Sequence, residues 1–146
     1  MVGEGHDLHD EMDGFLSLME QDEEKGSFLT AEMRDFLHSL AATADMAGIL
    51  QLSFLEIDGQ KAAGKFLFNY RGRLWAYNSG VDAAFREHSP GWVLLGFLLQ
   101  WANAHEISEF DFMRGDEEYK YRFGAVDRFV MRAKLSRPAS QISEQK

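Results

Sequence analysis

The sequence predicts a mixed α/β domain of the α+β type, in which helices flank a central, mostly antiparallel sheet. Three observations predict this fold class. Up to about residue 48, apolar side chains recur at helical spacing. From residue 49 the pattern changes to extended runs that are separated by Asp58-Gly59 and Arg71-Gly72, pairs typical of tight turns. Residues 89–103 then form one long apolar run with a helix-start signal.

Two amphipathic helices are predicted before the first strand. In residues 7–20 acidic side chains lie between regularly spaced apolar ones, so one face packs and the other is solvated. Residues 22–26 are charged and predict a break. A second helix follows Thr30, whose hydroxyl is suited to cap the first turn, and ends near Gly48. Both helices are interpreted as packing elements.

Three antiparallel strands are expected next, as a meander. Residues 49–57 and 61–70 are joined by Asp58-Gly59, because aspartate and glycine tolerate the positive φ values of a tight hairpin turn. A third strand at residues 73–79 follows the second turn, and a looser segment at residues 80–88 leads to the apolar helix.

Residues 89–103 carry the strongest functional signal. Ser89 is placed to cap a helix through its hydroxyl, and Pro90 is at the first helical position, where its missing N–H costs nothing. The almost continuous apolar circumference predicts a buried helix that is too short to cross a bilayer. Its start, beside Gly91, offers N–H groups and the positive end of the helix dipole, which suit a phosphate group. A plain core helix would begin in the same way.

The rest of the chain is expected to complete a single domain over residues 1–146, with its core at about residues 7–135. A short strand is predicted at residues 107–113, a helical turn at 115–123 and a final strand at 126–135. Residues 136–146 are polar and predict a flexible tail.

Charge and composition limit the function classes. The formal net charge is −9, and the first 40 residues hold eleven acidic and two basic side chains, which disfavours binding to DNA or to an anionic membrane. A local basic cluster can still hold a compact anion. The chain lacks cysteine and a secretory signal pattern, so a cytoplasmic location is expected. His6 and His9 are metal-ligand types without evident supporting residues, so no metal is predicted.

The order of elements resembles the Gcn5-related N-acetyltransferase (GNAT) fold. The hairpin at residues 55–64, the sequence Ser89-Pro90-Gly91 and the run from Phe110 to Phe123 are similar to the CelD-like (BioF2-like) acetyltransferase domain. That domain is a relative of the Fem peptidoglycan aminoacyltransferases. The run contains Phe-Asp-Phe, Gly-Asp-Glu and Tyr-Lys in the family's order, and the resemblance covers about residues 7–135.

The resemblance implies a co-substrate, acetyl-CoA or another acyl-CoA, and the residues that hold it. The helix start would bind the donor's pyrophosphate through Ser89, Pro90, Gly91 and Trp92. Main-chain groups near Tyr77, Asn78 and Ser79 would polarise the thioester carbonyl. Residues 85–88 contain one arginine, whereas the superfamily's pyrophosphate loop is rich in Arg, Gln and Gly.

Three residues are candidates for catalysis. Lys120, on a short turn expected to be solvated, matches the family's Tyr-Lys lysine, which by resemblance would hold an anionic group. Asp111 points away from its two phenylalanine neighbours on the predicted strand, so it either lines the cleft or faces solvent at the edge. Tyr119 can supply a proton to the leaving group or simply pack with its hydroxyl in water. His88 is interpreted as a surface histidine, and the acidic residues 116–118 as a solvated, ion-paired face.

The predicted function is transfer of an acyl group to an amine on a small molecule, a sugar or a peptide. One alternative uses aminoacyl-tRNA as the donor, as in the Fem relatives. Another is a non-catalytic half-domain or dimerisation module, because family members often carry two copies of the fold. A homodimer or a partner GNAT domain would supply the second copy.

Overall fold

The structure is a computed structural model, and it describes residues 5–135. The chain divides into two compact units, with the boundary between Gly115 and Asp116. The first unit contains helices α1 (Leu8–Glu20), α2 (Glu23–Phe28), α3 (Ala31–Met46) and α4 (Pro90–Ala104), strands β1 (Leu50–Ile57), β2 (Gln60–Tyr70), β3 (Arg73–Val81) and β4 (Glu109–Asp111), and a 3₁₀ helix (Ala83–His88). The second contains helix α5 (Glu118–Arg122).

The four described strands form one sheet in the order β1-β2-β3-β4. The first three are antiparallel, and β4 is parallel to β3 through the pairs Arg73–Glu109, Leu74–Phe110 and Trp75–Asp111. Asp58 and Gly59 have φ values of 52° and 76°, so the predicted hairpin turn is confirmed. The mixed, mostly antiparallel sheet flanked by helices confirms the predicted fold class.

The two faces of the sheet are covered by different helices. Consecutive residues of a strand point to opposite faces, and Phe66 belongs to the cluster formed with α1 and α3, whereas Leu67 packs with Leu94 and Leu98 of α4. Strand β3 lies very close to α1, because a Cβ atom on Gly80 would be 2.6 Å from the backbone of Leu18 and Met19. These contacts fix the end of β3 against α1.

Two predicted irregular segments are regular. Residues 22–26 do not break the chain: they begin α2, whose first turn is capped by Asp22 Oδ1, which accepts the Lys25 N–H at 3.1 Å. The segment at residues 80–88 continues β3 to Val81 and then forms the 3₁₀ helix, with Asp82 accepting the Ala84 N–H at 2.8 Å. Short aspartate caps explain both differences.

Helix α4 differs from its prediction at its start and on one face. Pro90 is the first helical residue, as predicted, but Ser89 is left-handed (φ 49°, ψ 46°) and its hydroxyl forms no capping bond, because a capping residue needs extended backbone angles. The helix is not buried all round. Trp92, Val93 and Phe97 are 43%, 43% and 57% exposed.

The later strands are shorter than predicted. The expected strand at residues 107–113 is reduced to β4, because Asp111 Oδ1 accepts the Met113 N–H at 2.6 Å and Met113 has a φ of 57°, which turns the chain. Residues 126–135 form no strand within the described part of the chain, since no neighbouring strand pairs with them. The predicted tail at residues 136–146 lies outside the described residues.

Every helix in residues 5–135 is too short or too polar to cross a membrane.

Candidate active site

A cavity of about 300 Å³ lies where β3 ends and α4 begins. Its walls are provided by α2, the last residues of β3, the 3₁₀ helix and the first turn of α4. They comprise Asp22, Lys25, Ser79, Gly80, Val81, Arg86, Ser89, Pro90, Gly91 and Trp92. The cavity therefore brings Ser79 together with the four residues predicted at the helix start. A second cavity, of about 340 Å³ at the other end of β3, contains none of the predicted site residues.

Two basic side chains, Lys25 and Arg86, line the cavity, and neither is among the predicted site residues. Lys25 Nζ donates a hydrogen bond to the Ser79 carbonyl oxygen at 2.7 Å and lies 3.4 Å from its hydroxyl oxygen. Arg86 is exposed and has no ion pair within residues 5–135. Asp22 contributes the opposing charge, but its carboxylate already caps α2. Lys25 is 54 residues from Ser79, so no local spacing signal in the sequence could have linked them.

The start of α4 offers one unused backbone donor. The N–H groups of Trp92 and Val93 both donate to the Ser89 carbonyl, at 3.0 and 3.2 Å, and Pro90 has no N–H. The Gly91 N–H has no partner within the described residues. A Cβ atom on Gly91 would lie 3.1 Å from Val81 Cγ2, so only glycine leaves this position open to a ligand without a shift. An anion in the cavity can thus reach a backbone N–H at the positive end of the helix dipole.

The outer edge of β3 is covered by β4 only up to Trp75. The strand then continues to Val81 without a described neighbour on that side. Within this stretch the Ser79 N–H donates to Asn78 Oδ1 at 2.9 Å. The Tyr77 ring instead packs against Phe66 and Phe68, with ring centroids 5.6 Å from each. Of the three residues predicted near the thioester, Ser79 lines the cavity. The Tyr77 side chain instead packs in the hydrophobic core.

Asp111 is the last residue of β4 and is half-buried. Its Oδ1 accepts the Met113 N–H at 2.6 Å, so one carboxylate oxygen stabilises the turn after the strand. It is not among the residues that line the 300 Å³ cavity.

In the second unit, Lys120 is buried, with 5% of its surface exposed. Its Nζ lies 2.7 Å from Glu117 Oε2, so the expectation of a solvated lysine on a short turn is wrong. Burial, followed by the negative charge of Glu117, raises the pKa of the neighbouring Tyr119 phenol above its ordinary value. Glu118 pairs with Arg122 at 2.6 Å, which confirms the ion-paired acidic run.

His88 lies next to Glu87, 3.5 Å away, and its side chain is 58% exposed. The interpretation of His88 as a surface histidine is thus confirmed.

The third strand of the mixed sheet thus runs past its parallel neighbour and ends beside the cavity at the start of α4. Comparison with protein families then identifies the family. Residues 4–121 match the family described as Acetyltransferase (GNAT) domain. The chain therefore belongs to this family and is a GNAT-type acyltransferase.

Two solved structures share this fold. One is an aminoglycoside acetyltransferase, meta-AAC0020, from an uncultured soil metagenomic sample, in complex with sisomicin: it has 14% identity and a TM-score of 0.57, with 88% of this chain and 90% of that chain covered. The other is glucosamine-6-phosphate N-acetyltransferase from Arabidopsis thaliana: it has 16% identity and a TM-score of 0.52, with 89% and 94% covered. A search of curated protein sequences finds no significant match.

Proposed function

We propose that the cavity at the start of α4 binds the pyrophosphate of acetyl-CoA or another acyl-CoA, and that the chain transfers the acyl group to an amine. The observation that carries this proposal is the convergence of Lys25, Arg86 and the free Gly91 N–H around one 300 Å³ space. Cationic side chains and helix N–H groups are the donors that phosphate oxygens prefer. Arg86 is the one arginine in residues 85–88, the segment that corresponds to the superfamily's pyrophosphate loop.

Lys25 has two roles in this proposal. Without a donor its Nζ bonds to the Ser79 carbonyl. With a donor, the same ammonium group turns towards a phosphate oxygen and releases the main chain of β3. Binding of the pyrophosphate would thus open the strand edge on which the acyl arm lies. The freed Ser79 carbonyl oxygen is then available to accept a hydrogen bond from the acyl arm, and the Ser79 hydroxyl can donate one to the thioester carbonyl oxygen, where negative charge develops during transfer.

The acceptor in this proposal is an amine on a small molecule, a sugar or a peptide. The two similar structures are named an aminoglycoside acetyltransferase and a glucosamine-6-phosphate N-acetyltransferase. Their names support the proposal that the acceptor is an amine on a small molecule. The amine nitrogen attacks the thioester carbon, the C–S bond breaks, and the amine gives up one proton while the thiolate gains one. We assign the proton-accepting role to Asp111, through the carboxylate oxygen that does not bond to Met113.

Two residues of the second unit, Tyr119 and Lys120, remain candidates for catalysis. A tyrosine phenol is protonated at neutral pH, and the raised pKa of Tyr119 leaves that state unchanged, so we assign to Tyr119 the proton that the leaving thiolate gains. Lys120 remains the candidate for holding an anionic group, with Glu117 as its partner when no substrate is bound.

Within the family, we propose that the chain belongs to the CelD-like branch related to the Fem enzymes, because residues Phe110 to Phe123 are similar to that branch. We also propose that the chain acts as one GNAT domain over residues 1–146, in the cytoplasm.

One observation favours a second candidate, a half-enzyme that needs a partner GNAT domain or a second copy. The segment predicted as the last strand is unpaired and exposes five apolar side chains. They are Val126 (87%), Phe129 (83%), Val130 (100%), Met131 (87%) and Leu135 (97%). A monomeric mass together with acyl transfer by the isolated chain would exclude this candidate.

Titration calorimetry with acetyl-CoA tests the donor site. Lys25→Gln and Arg86→Gln each remove one positive charge from the cavity, and Arg71→Gln removes one from the exposed turn between β2 and β3 as the matched control. We expect each cavity variant to bind about tenfold more weakly, equivalent to about 1.4 kcal/mol, and the control to bind like the parent. Equal acetyl-CoA affinity in the parent and all three variants would show that acetyl-CoA does not bind in this cavity. Absence of binding to the parent would refute the acyl-CoA donor.

A further inference from the structure

A second group of polar side chains lies away from the cavity, on the surface where α1 and α3 meet. Asp13 is between two histidines: its Oδ2 is 3.3 Å from His9 Nδ1, and its Oδ1 is 3.0 Å from His38 Nε2. The two imidazole rings stack with centroids 4.4 Å apart. One nitrogen from each ring and one carboxylate oxygen all lie within 4.8 Å of one another.

We propose that His9, Asp13 and His38 bind a divalent late transition-metal ion, with Zn²⁺ as the best fit. Zinc accepts imidazole nitrogen and carboxylate oxygen at about 2.0–2.2 Å, and a tetrahedral ion then holds its ligand atoms about 3.3 Å apart. Each histidine nitrogen is about that far from a different oxygen of Asp13, and one atom from each residue lies within 4.8 Å of the others, so a small side-chain adjustment would bring the three ligand atoms around one ion. The two nitrogen ligands disfavour Mg²⁺ and Ca²⁺, which prefer oxygen ligands.

The position of the three residues leaves room for an ion to enter. His9 and Asp13 are one helical turn apart on α1, so both side chains emerge on the same face. Their side chains are 71% and 57% exposed, and that of His38, from α3, is 21% exposed. Solvent can therefore deliver the ion and fill its fourth coordination position with water.

The sequence near His9 does not reveal this group, because its members come from two different helices. The nearby acid Asp7 caps α1 and accepts the His9 N–H at 2.8 Å, so it is already engaged. The ligand partners are Asp13, one turn further along α1, and His38, which is 25 residues beyond Asp13. An ion at this site would connect α1 to α3 and stabilise their packing, with no part in acyl transfer.

Metal-free protein, prepared with a chelator, is titrated with ZnCl₂ by calorimetry, and thermal unfolding is followed at the same concentrations. We expect one ion per chain and a melting temperature that rises with Zn²⁺, because a ligand that binds only the folded state stabilises it. His9→Gln, His38→Gln and Asp13→Asn should each weaken Zn²⁺ binding about tenfold or more. His105→Gln, which changes an exposed histidine at the end of α4, is the matched control and should bind like the parent.

Co²⁺ provides a second readout. Its visible absorption spectrum reports imidazole coordination directly and should be lost in the His9 and His38 variants but kept in His105→Gln. Circular dichroism of each variant without metal verifies the fold. Zinc binding by a folded His9 or His38 variant as tight as by the control, or no saturable binding to the parent protein, would overturn the proposal.

Discussion

Gly91 is the residue on which the donor site depends most closely. Its N–H has no partner within the described residues, and a side chain there would meet Val81. The two basic side chains at the cavity, Lys25 and Arg86, come from α2 and from the 3₁₀ helix. The proposed pyrophosphate contact needs a backbone N–H without a side chain in the way, as at Gly91, together with cationic side chains such as Lys25 and Arg86.

Gly91→Asp is therefore expected to reduce acetyl-CoA affinity by at least about tenfold, or about 1.4 kcal/mol. A carboxylate in the first turn interacts favourably with the helix dipole by about 0.3–1 kcal/mol, which offsets part of the strain of the close contact with Val81. Gly96→Asp is the control, because position 96 is on the same helix and a Cβ atom added there would have no neighbour within 4 Å. Equilibrium binding of both variants tests the prediction, and equal affinities would contradict it.

Tyr119 gives a prediction about pH. Burial and the charge of Glu117 raise its pKa above the ordinary value of 10.0. The folded protein then holds this proton more tightly than the unfolded chain does. The resulting stability is fully present below the unfolded pKa and is lost as the pH rises through the folded pKa.

The difference between the alkaline absorbance titrations of the parent and Tyr119→Phe isolates this phenol. Its midpoint should lie above pH 10.0. A midpoint at or below that value would show that the phenol is not shielded from water.

At the scale of elements, the contact between α1 and β3 positions the cavity wall. Gly80 lines the cavity and touches the backbone of α1 at Leu18 and Met19. Backbone atoms cannot move aside as the end of a flexible side chain can. The close approach therefore fixes where β3 ends relative to α1, and with it the position of Ser79.

Gly80→Ala should lower the free energy of unfolding by at least about 1–3 kcal/mol, because the added methyl group overlaps backbone atoms. Gly96→Ala, in open space within α4, should instead raise it by about 0.5–1 kcal/mol, since alanine favours a helix interior over glycine. Urea unfolding of both variants measures the difference. An unchanged Gly80→Ala protein would mean that β3 and α1 are not in contact there.

The elements that could be predicted from the sequence are those with local signals. Helices α1 and α3, the β1–β2–β3 meander and the Pro90 start of α4 follow from periodicity, turn residues and caps. The elements that were wrong have two kinds of cause. Short-range bonds of aspartate side chains start α2 and the 3₁₀ helix and turn the chain at Met113, which shortens β4. Residues 126–135, by contrast, lack a pairing strand within the described part of the chain. In the candidate site, the start of α4 has a local sequence signal and was predicted. Lys25 was not predicted, because it contacts Ser79, which is 54 residues away in the sequence.

At the scale of the whole molecule, the distribution of charge favours acyl-CoA over aminoacyl-tRNA as the donor. The net charge is −9, and acidic residues dominate the first 40 positions, whereas the basic groups at the cavity are few. The two basic side chains at the cavity suit one pyrophosphate, whereas the acidic charge balance of the sequence disfavours the long basic track that tRNA needs.

We therefore expect no saturable binding of aminoacyl-tRNA at about 0.15 M salt, in a gel-shift or filter-binding measurement. Binding that persists at this salt and weakens steeply as more is added would favour the Fem-like donor instead.

The central claim is that acyl-CoA binds at the start of α4 beside the open edge of β3. A backbone amide NMR titration of the ¹⁵N-labelled protein with acetyl-CoA tests it most directly. We predict that the resonances of Ser79, Gly91 and Trp92 shift most, and that those of the distant turn residues Gly59 and Gly72 stay in place. Saturable binding with its largest shifts elsewhere and an unchanged Gly91 resonance would contradict the claim.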